Sequence, residues 1–198
     1  MVLLSKVISI SGTISLKQLS LDDTEEFFNL VRANKDDLRL WIQWIDKCET
    51  LEGTKAFIQK NLEFPEKNPD ASKQLVQFGI WENGVLVGGF MIEENKTNHS
   101  AQFGFWKGSI SAEKGLITKI CVKLITRMFK STQFNRIEIH CAPENKRSCN
   151  IAIGLGFQFE GVLREVELLY DHYVNHNVYS VLRREWSNRL EQYDKKFT

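Results

Sequence analysis

The run Arg136-Ile137-Glu138-Ile139-His140-Cys141, continued by Ala-Pro-Glu and then Asn145-Lys-Arg-Ser148-Cys149-Asn-Ile-Ala152-Ile-Gly-Leu155-Gly156-Phe157, decides the fold. Its first part alternates with a period of two, so Ile137, Ile139 and Cys141 share one face of a strand. Its second part changes to helical spacing from Asn145 to Leu155, and Gly156-Phe157 is a helix stop. Upstream, Leu116 to Lys130 places Leu116, Ile120, Leu124, Ile125, Met128 and Phe129 at helical intervals, just after Gly115. Downstream, Phe159 to Leu168 and Asn177 to Arg183 read as a closing pair of strands. The second half of the chain is therefore helix, strand, helix and a strand pair.

The first half is richer in consecutive strands. Residues Ile8 to Leu19 alternate apolar and polar, as one half-buried strand does. Ser20 then offers an N-cap, with Asp22 and Asp23 in the first turn. Glu25 to Ala33 continues as a helix whose apolar side is Phe27, Phe28, Leu30 and Val31. Leu38 to Ile45, which holds Trp41 and Trp44, reads as a short helix or ordered loop. Gly53 to Leu62 is a further helix, closed by Pro65 and Pro69. Gln74 to Trp81, the hairpin signal Glu82-Asn83-Gly84, Val85 to Glu93, and Ala101 to Trp106 imply an antiparallel meander. Strands followed by strand-helix alternation predict an α/β (α+β) fold, a mixed sheet with helices on both faces.

Composition bounds the function. A chain of 198 residues suits one domain with a core large enough to need no staples. Lys+Arg number 26 against 25 Asp+Glu, a net charge of +1. That balance lacks the basic excess of a general nucleic-acid binder. No run approaches the ~20 apolar residues that span a bilayer. Cys48, Cys121, Cys141 and Cys149 show no C-x-x-C spacing and read as free thiols of a reducing compartment. The apolar run after Met1 is too short for a signal peptide, so a cytoplasmic location is expected. The sequons at Asn95 and Asn98 then read as chance matches in a polar turn.

Several side chains carry chemistry under two readings each. Gly115 before a long helix makes either a phosphate seat, assisted by Lys114 and Lys119, or plain turn chemistry. Asn145 and Ser148 lie three apart and can face one ligand, or Asn145 can simply cap the helix. Glu138 is either a base on a central strand or a carboxylate flanked by Arg136 and His140 on an exposed face. His172 and His176 around Asp171 suggest a metal, but no third ligand has suitable spacing and a polar loop fits better. Cys141 and Cys149 lack an activating His in sequence and read as buried spectators rather than nucleophiles. Trp41 and Trp44 serve as core or as lid residues.

Trp106…Lys114-Gly115-Leu116-Ile117-Thr118, Asn135-Arg136-Ile-Glu138-Ile, and Asn145-x-x-Ser148-x-x-x-Ala152-x-x-x-Gly156-Phe157-x-x-Glu160-Gly161-x-x-Arg164 together resemble the GNAT superfamily of acetyltransferases. More narrowly they resemble the RimJ/RimL branch, whose named members acetylate N-termini of ribosomal proteins. Leu38 to Trp44, and Tyr179-Ser180 with Glu185-Trp186, fit that branch too, so the likeness runs from about Leu16 to Trp186. It implies a single domain over 1–198 with its core at about 8–186 and a C-terminal extension at 187–198. It implies a mixed, mostly antiparallel twisted sheet with a splayed central strand pair.

The resemblance also implies acetyl-CoA as co-substrate and no metal. Its pyrophosphate is expected on the turn at Lys114, Gly115, Leu116, Ile117 and Thr118. The family turn is often Gln/Arg-Gly-x-Gly, and here Ala112 and Glu113 replace its first two positions. The pantetheine arm is expected along Phe103, Gly104, Phe105 and Trp106, with Asn145 bonding it and Ser148 near the sulfur. Glu167 would take the amine's proton and Ser148 would serve the leaving thiolate. Trp41, Trp44, Glu138, Glu167 and Tyr179 would line the acceptor. The implied acceptor is a protein N-terminal α-amine. A small amine such as a polyamine or aminoglycoside, or a non-catalytic acetyl-CoA sensor, are the alternatives. No nucleic-acid or membrane partner is implied, and a homodimer is an assembly the branch allows.

Overall fold

The computed structural model describes residues 6–68, 71–131 and 133–187. The C-terminal extension beyond Ser187 lies outside the described residues. The strands are β1 (Val7–Ser9), β2 (Ile14–Gln18), β3 (Lys73–Glu82), β4 (Val85–Asn95), β5 (Ser100–Lys107), β6 (Arg136–Cys141), β7 (Gln158–Leu169) and β8 (His172–Leu182). They form a mostly antiparallel open sheet in the order β1-β2-β3-β4-β5-β6-β8-β7. The helices are α1 (Thr24–Ala33), α2 (Lys35–Arg39), α3 (Leu51–Lys67), α4 (Leu116–Lys130), α5 (Lys146–Gly154) and α6 (Arg183–Trp186). Among the described residues no helix is long and apolar enough to cross a membrane.

Contacts group the chain into two compact units. Among the described residues, one holds those within 6–93 and 104–113, and the other those within 94–103 and 114–187.

In the first unit, Ile8 to Leu19 is not one strand but the hairpin β1-β2, with Val7 opposite Lys17 and Ser9 opposite Ser15. Ser11-Gly12-Thr13 turns the chain there, and the amides of Ile10 and Ser11 both bond the Ile14 carbonyl. Burial alternates on both arms, so a period of two hides the turn between them. Ser20 begins a short 3-10 turn, Leu21–Asp23, rather than α1 itself, whose N-cap is Asp23, and the Ser20 side chain makes no capping bond. The Ser20 amide and hydroxyl each donate to Asp23 Oδ2 at 2.8 Å. Burial would raise the Asp23 carboxyl, but the Ser20 donors and the Lys17 ammonium hold it below its ordinary value. The apolar face of α1 is Phe27, Leu30 and Val31, all buried with Leu38, Ile45, Cys48, Ile58 and Leu86. Helix α3 begins at Leu51 and runs past Pro65 to Lys67, longer than its sequence signals imply. A proline so near the end removes one late backbone bond and does not stop the helix. Pro69 lies outside the described residues.

The second unit is built on α4, α5 and the strands around β6. Helix α4 buries Leu116, Ile117, Ile120, Cys121, Leu124, Ile125, Met128 and Phe129, the row its spacing predicts. Strand β6 buries Ile137, Ile139 and Cys141 and leaves Arg136, Glu138 and His140 partly exposed. It pairs in parallel with β5 from Ser100↔Arg136 to Phe103↔Ile139. The closing pair is longer than expected. The chain reverses at Tyr170-Asp171, so His172 and His176 stand on strand β8 rather than in a loop. Trp186 is 1% exposed, and its indole donates to Thr126 Oγ1 on α4 at 3.0 Å.

Leu124 is fully buried at the centre of α4. Leu124→Ala should therefore cost about 3 kcal/mol through lost burial and an unfilled cavity. Urea unfolding should show a lower midpoint with an unchanged slope.

Candidate active site

The sequence-predicted residues of the second unit fall into four groups. The first is the start of α4. Gly115 is its N-cap at φ 72° and ψ 15°, a left-handed conformation that favours glycine. A Cβ built there meets nothing within 4 Å. Leu116 and Ile117 are buried and anchor the first turn, while Lys114 is exposed. Lys119 N donates to Gly115 O at 2.9 Å and is the first intrahelical bond. The amides of Leu116, Ile117 and Thr118 precede it, and helix geometry gives them no intrahelical acceptor. No acidic residue stands in the first turn, so the positive end of the helix dipole is not offset from within. These residues fit a diphosphate. Glu113, just before the turn, is half-buried.

The second group is the start of α5. Asn145 Oδ1 accepts from Ser148 N at 3.1 Å, so Asn145 does cap the helix. Ser148 sits beside the Cys141 thiol. Cys141 Sγ is 3.2 Å from Cys149 Sγ, and Cys149 Sγ is 3.5 Å from Ala142 O. Asn177 Nδ2 lies between Cys149 and the Tyr179 hydroxyl, at 3.7 and 3.5 Å. All four cysteines of the chain are free and buried. Burial and the adjacent Cys149 push the Cys141 thiol up to about 12, against a smaller opposing pull from Ser148. Such a thiol is protonated near neutral pH and is no nucleophile. Burial also raises the Tyr179 hydroxyl above its ordinary value.

The third group lies on the other face of β6. Glu138 Oε2 meets His140 Nε2 at 2.8 Å, and Glu138 Oε1 takes the Arg136 Nε. Arg136 also reaches Glu160 Oε1 at 2.9 Å, where the buried Ser180 hydroxyl donates as well. The bond from His140, then the Arg136 guanidinium, outweigh burial and hold the Glu138 carboxyl at about 2. Arg136 and His140 do more than flank Glu138, since they occupy both its oxygens. A carboxylate so held takes up no proton near neutral pH.

The fourth group is Glu167 with His176. Glu167 Oε2 lies 2.9 Å from His176 Nε2, and the side chains are 39% and 21% exposed. His172 instead pairs with Asp171 at 3.0 Å, so the two histidines belong to separate pairs. Among the described residues, no cluster of three or more His, Cys, Asp or Glu side chains could hold a metal.

Register separates the acceptor residues proposed from sequence. Tyr179 pairs with Ile139 and so shares the buried face of Cys141, whereas Glu138 pairs with Ser180 on the opposite face. Tyr179 is 6% exposed and packs on Phe159 at 5.4 Å. Tyr179 and Glu138 are thus not brought together.

In the first unit, Trp44 stacks on Phe57 at 4.7 Å, with Phe27 and Trp106 at 6.2 and 6.5 Å. The indole of Trp106 lies against Gly89, where a Cβ would sit 2.4 Å from its Nε1. Phe105 stacks on Phe90 at 6.0 Å, and Gly104 abuts Met91. Trp44 is therefore a wall of the first unit's core. Trp41, just past the C-cap of α2, is half-buried.

Sequence reasoning missed the His176 partner of Glu167 and the Ser180 donor to Glu160. Both are cross-strand contacts. Their signal would have been register, which a single sequence does not display.

The family profile described as an acetyltransferase (GNAT) domain matches residues 13–158. The Bacillus subtilis (strain 168) protein YdaF is 28% identical over 177 residues, covering 87% of this chain and 93% of that protein. The ribosomal-protein-serine acetyltransferase of Escherichia coli (strain K12) is 24% identical, covering 89% of this chain and 97% of that protein. Among solved structures, the microcin C7 self-immunity acetyltransferase MccE, in complex with acetyl-CoA and AMP, superposes with a TM-score of 0.81. It is 25% identical and covers 91% of this chain and 98% of its own.

The Glu138 pair makes a prediction. A carboxyl lowered from 4.5 to about 2 stabilises the fold above pH 4.5, and the contribution is lost as pH falls toward 2. Glu138→Gln should cost on the order of 2 kcal/mol at pH 7. Unfolding curves of the two proteins should converge between pH 4.5 and 2.

Proposed function

The chain belongs to the acetyltransferase (GNAT) domain family, and from that premise we propose that it transfers an acetyl group from acetyl-CoA to the N-terminal α-amine of a ribosomal protein. The observation that carries the reading is the start of α4. A left-handed Gly115 opens a first turn without acidic residues, beside the exposed Lys114. These features suit a diphosphate, and the MccE complex with acetyl-CoA supports that choice of ligand. The names of the curated relatives support a ribosomal-protein acceptor. Such an acceptor also favours a cytoplasmic location.

In this reading Leu116, Ile117 and Thr118 offer amides to the diphosphate. The pantetheine arm runs along Phe103, Gly104, Phe105 and Trp106, and the Asn145 side chain holds it. A strand amide there polarises the thioester carbonyl. The acceptor amine attacks that carbonyl carbon, and the carbon–sulfur bond breaks as the amide forms. The attacking nitrogen must be neutral. For an α-amine with pKa near 8 that costs about 1.4 kcal/mol at pH 7, against roughly 4.6 for a lysine side chain. Glu167 takes the proton that the nitrogen sheds, and the Ser148 hydroxyl donates a hydrogen bond to the departing thiolate, which takes its proton from solvent. Glu138 suits the role of base less well, because Arg136 and His140 already bond both its oxygens. It serves instead as a fixed anion on the acceptor face. Positioning the two substrates supplies much of the rate.

Two measurements test the proposal. Acetyl-CoA at about 100 times its Kd should stabilise the protein by about 2.7 kcal/mol and raise its melting temperature accordingly. Thiol release should then follow addition of peptides with free N-terminal amines. Release with polyamines or aminoglycosides but not with peptides would move the acceptor to the small-amine class. A melting shift without thiol release from any amine would leave a sensor. Glu167→Gln should lower kcat roughly 100-fold with little change in KM for acetyl-CoA.

A further inference from the structure

Strand β7 is irregular just where it presents Glu167. Leu163 pairs with His176 and Glu167 pairs with Val174, so β7 advances four residues while β8 advances two. Two extra residues are therefore bulged out between these pairs. Because side chains alternate, an insertion of one would turn Glu167 to the opposite face, whereas an insertion of two keeps it on the face of His176 and Val174. The bulge also bends the strand. In the structure, the Glu167 carboxylate reaches back diagonally to His176 Nε2 at 2.9 Å.

The bulge is held at a cost. Glu165 stands at φ 51°, a left-handed conformation that residues with a Cβ rarely adopt. Its amide donates to Asn175 Oδ1 at 2.7 Å. Asn175 lies between Val174 and His176 on β8, opposite the bulge. One two-residue step of β8 thus fastens both the bent backbone and the carboxylate that the bend presents. Strained backbone persists where its surroundings over-determine it.

We infer that Asn175 and His176 are the positioning residues of Glu167 in acetyl transfer. His176 orients the carboxylate through Oε2, so that the amine's proton is delivered to a group of fixed direction. Asn175 holds the bulge that sets Glu167 on that face. The inference rests on the reading of Glu167 as the proton acceptor.

The test uses the full-length protein with acetyl-CoA and a peptide bearing a free N-terminal serine. His176→Leu should lower kcat at least tenfold, leaving KM for acetyl-CoA and the melting temperature nearly unchanged. His176→Gln, which keeps an amide donor, should recover most of the loss, and Asn175→Ala should lower kcat comparably while also lowering the melting temperature, since the strained Glu165 amide loses its acceptor. In a Glu167→Gln background neither change should lower kcat further, because groups acting as one unit are non-additive. If Glu167→Gln alone leaves kcat intact, the proton-acceptor reading fails, and the inference with it. If Glu167→Gln is impaired but His176→Leu is not, or if their losses multiply, the positioning role fails and the acceptor role stands. The His176 ring nitrogen resonance gives a reading independent of turnover. It should move in Glu167→Gln and in Asn175→Ala, and an unmoved resonance overturns the inference.

Discussion

Strand β6 has to satisfy opposite demands on its two faces, and the second unit is arranged around that demand. Ile137, Ile139 and Cys141 are buried on one side, while Arg136, Glu138 and His140 stand on the other. A half-buried carboxylate in such a place is tolerable only if it is paired and hydrogen-bonded. Arg136 and His140 meet that requirement from the same strand, two residues to either side of Glu138. Arg136 then extends the network to Glu160 on β7, and Ser180 on β8 closes it. The polar face is consequently a connected set across β6, β8 and β7. Glu138 is engaged at both oxygens, and Glu167, toward the far end of β7, has its own partner in His176.

Much of this was legible in the sequence. Periodicity located β6 and α4 because each buries one face, and burial of one face is what a repeat of two or 3.6 records. Gly115 and Asn145 were legible as helix starts because caps are local. The resemblance added roles to Ser148 and Glu167. The failures have physical causes. Ile8 to Leu19 alternates straight through a hairpin, since both arms bury alternate residues on one core. Pro65 misled because a proline in the last turn forfeits a single bond. Register sets Tyr179 on the thiol face, opposite Glu138, and a single sequence does not display register. The His176 bond to Glu167 depends on how two strands are offset, and that offset is set by a bulge no local rule signals.

The first unit follows the same logic with aromatic rings. Phe27, Trp44, Phe57 and Trp106 stack or meet edge-on within 6.5 Å of one another where their contacts are defined. Such pairs contribute beyond the area they bury. Trp106 lies on β5, the strand proposed to carry the pantetheine arm, and its indole is fixed against Gly89. The end of that strand is therefore packed on one side by the first unit's aromatic cluster.

Strand β7 ends the sheet, and an end strand exposes backbone groups to any passing chain. This one is twelve residues long and carries Phe159, Val162, Leu163, Val166 and Leu168, each more than 40% exposed. Straight and flat, it would be a template for fibrillar assembly. The register shift between Leu163 and Glu167, with Glu165 left-handed, interrupts it midway. The irregularity beside Glu167 therefore also breaks the length of edge that a second chain could pair with.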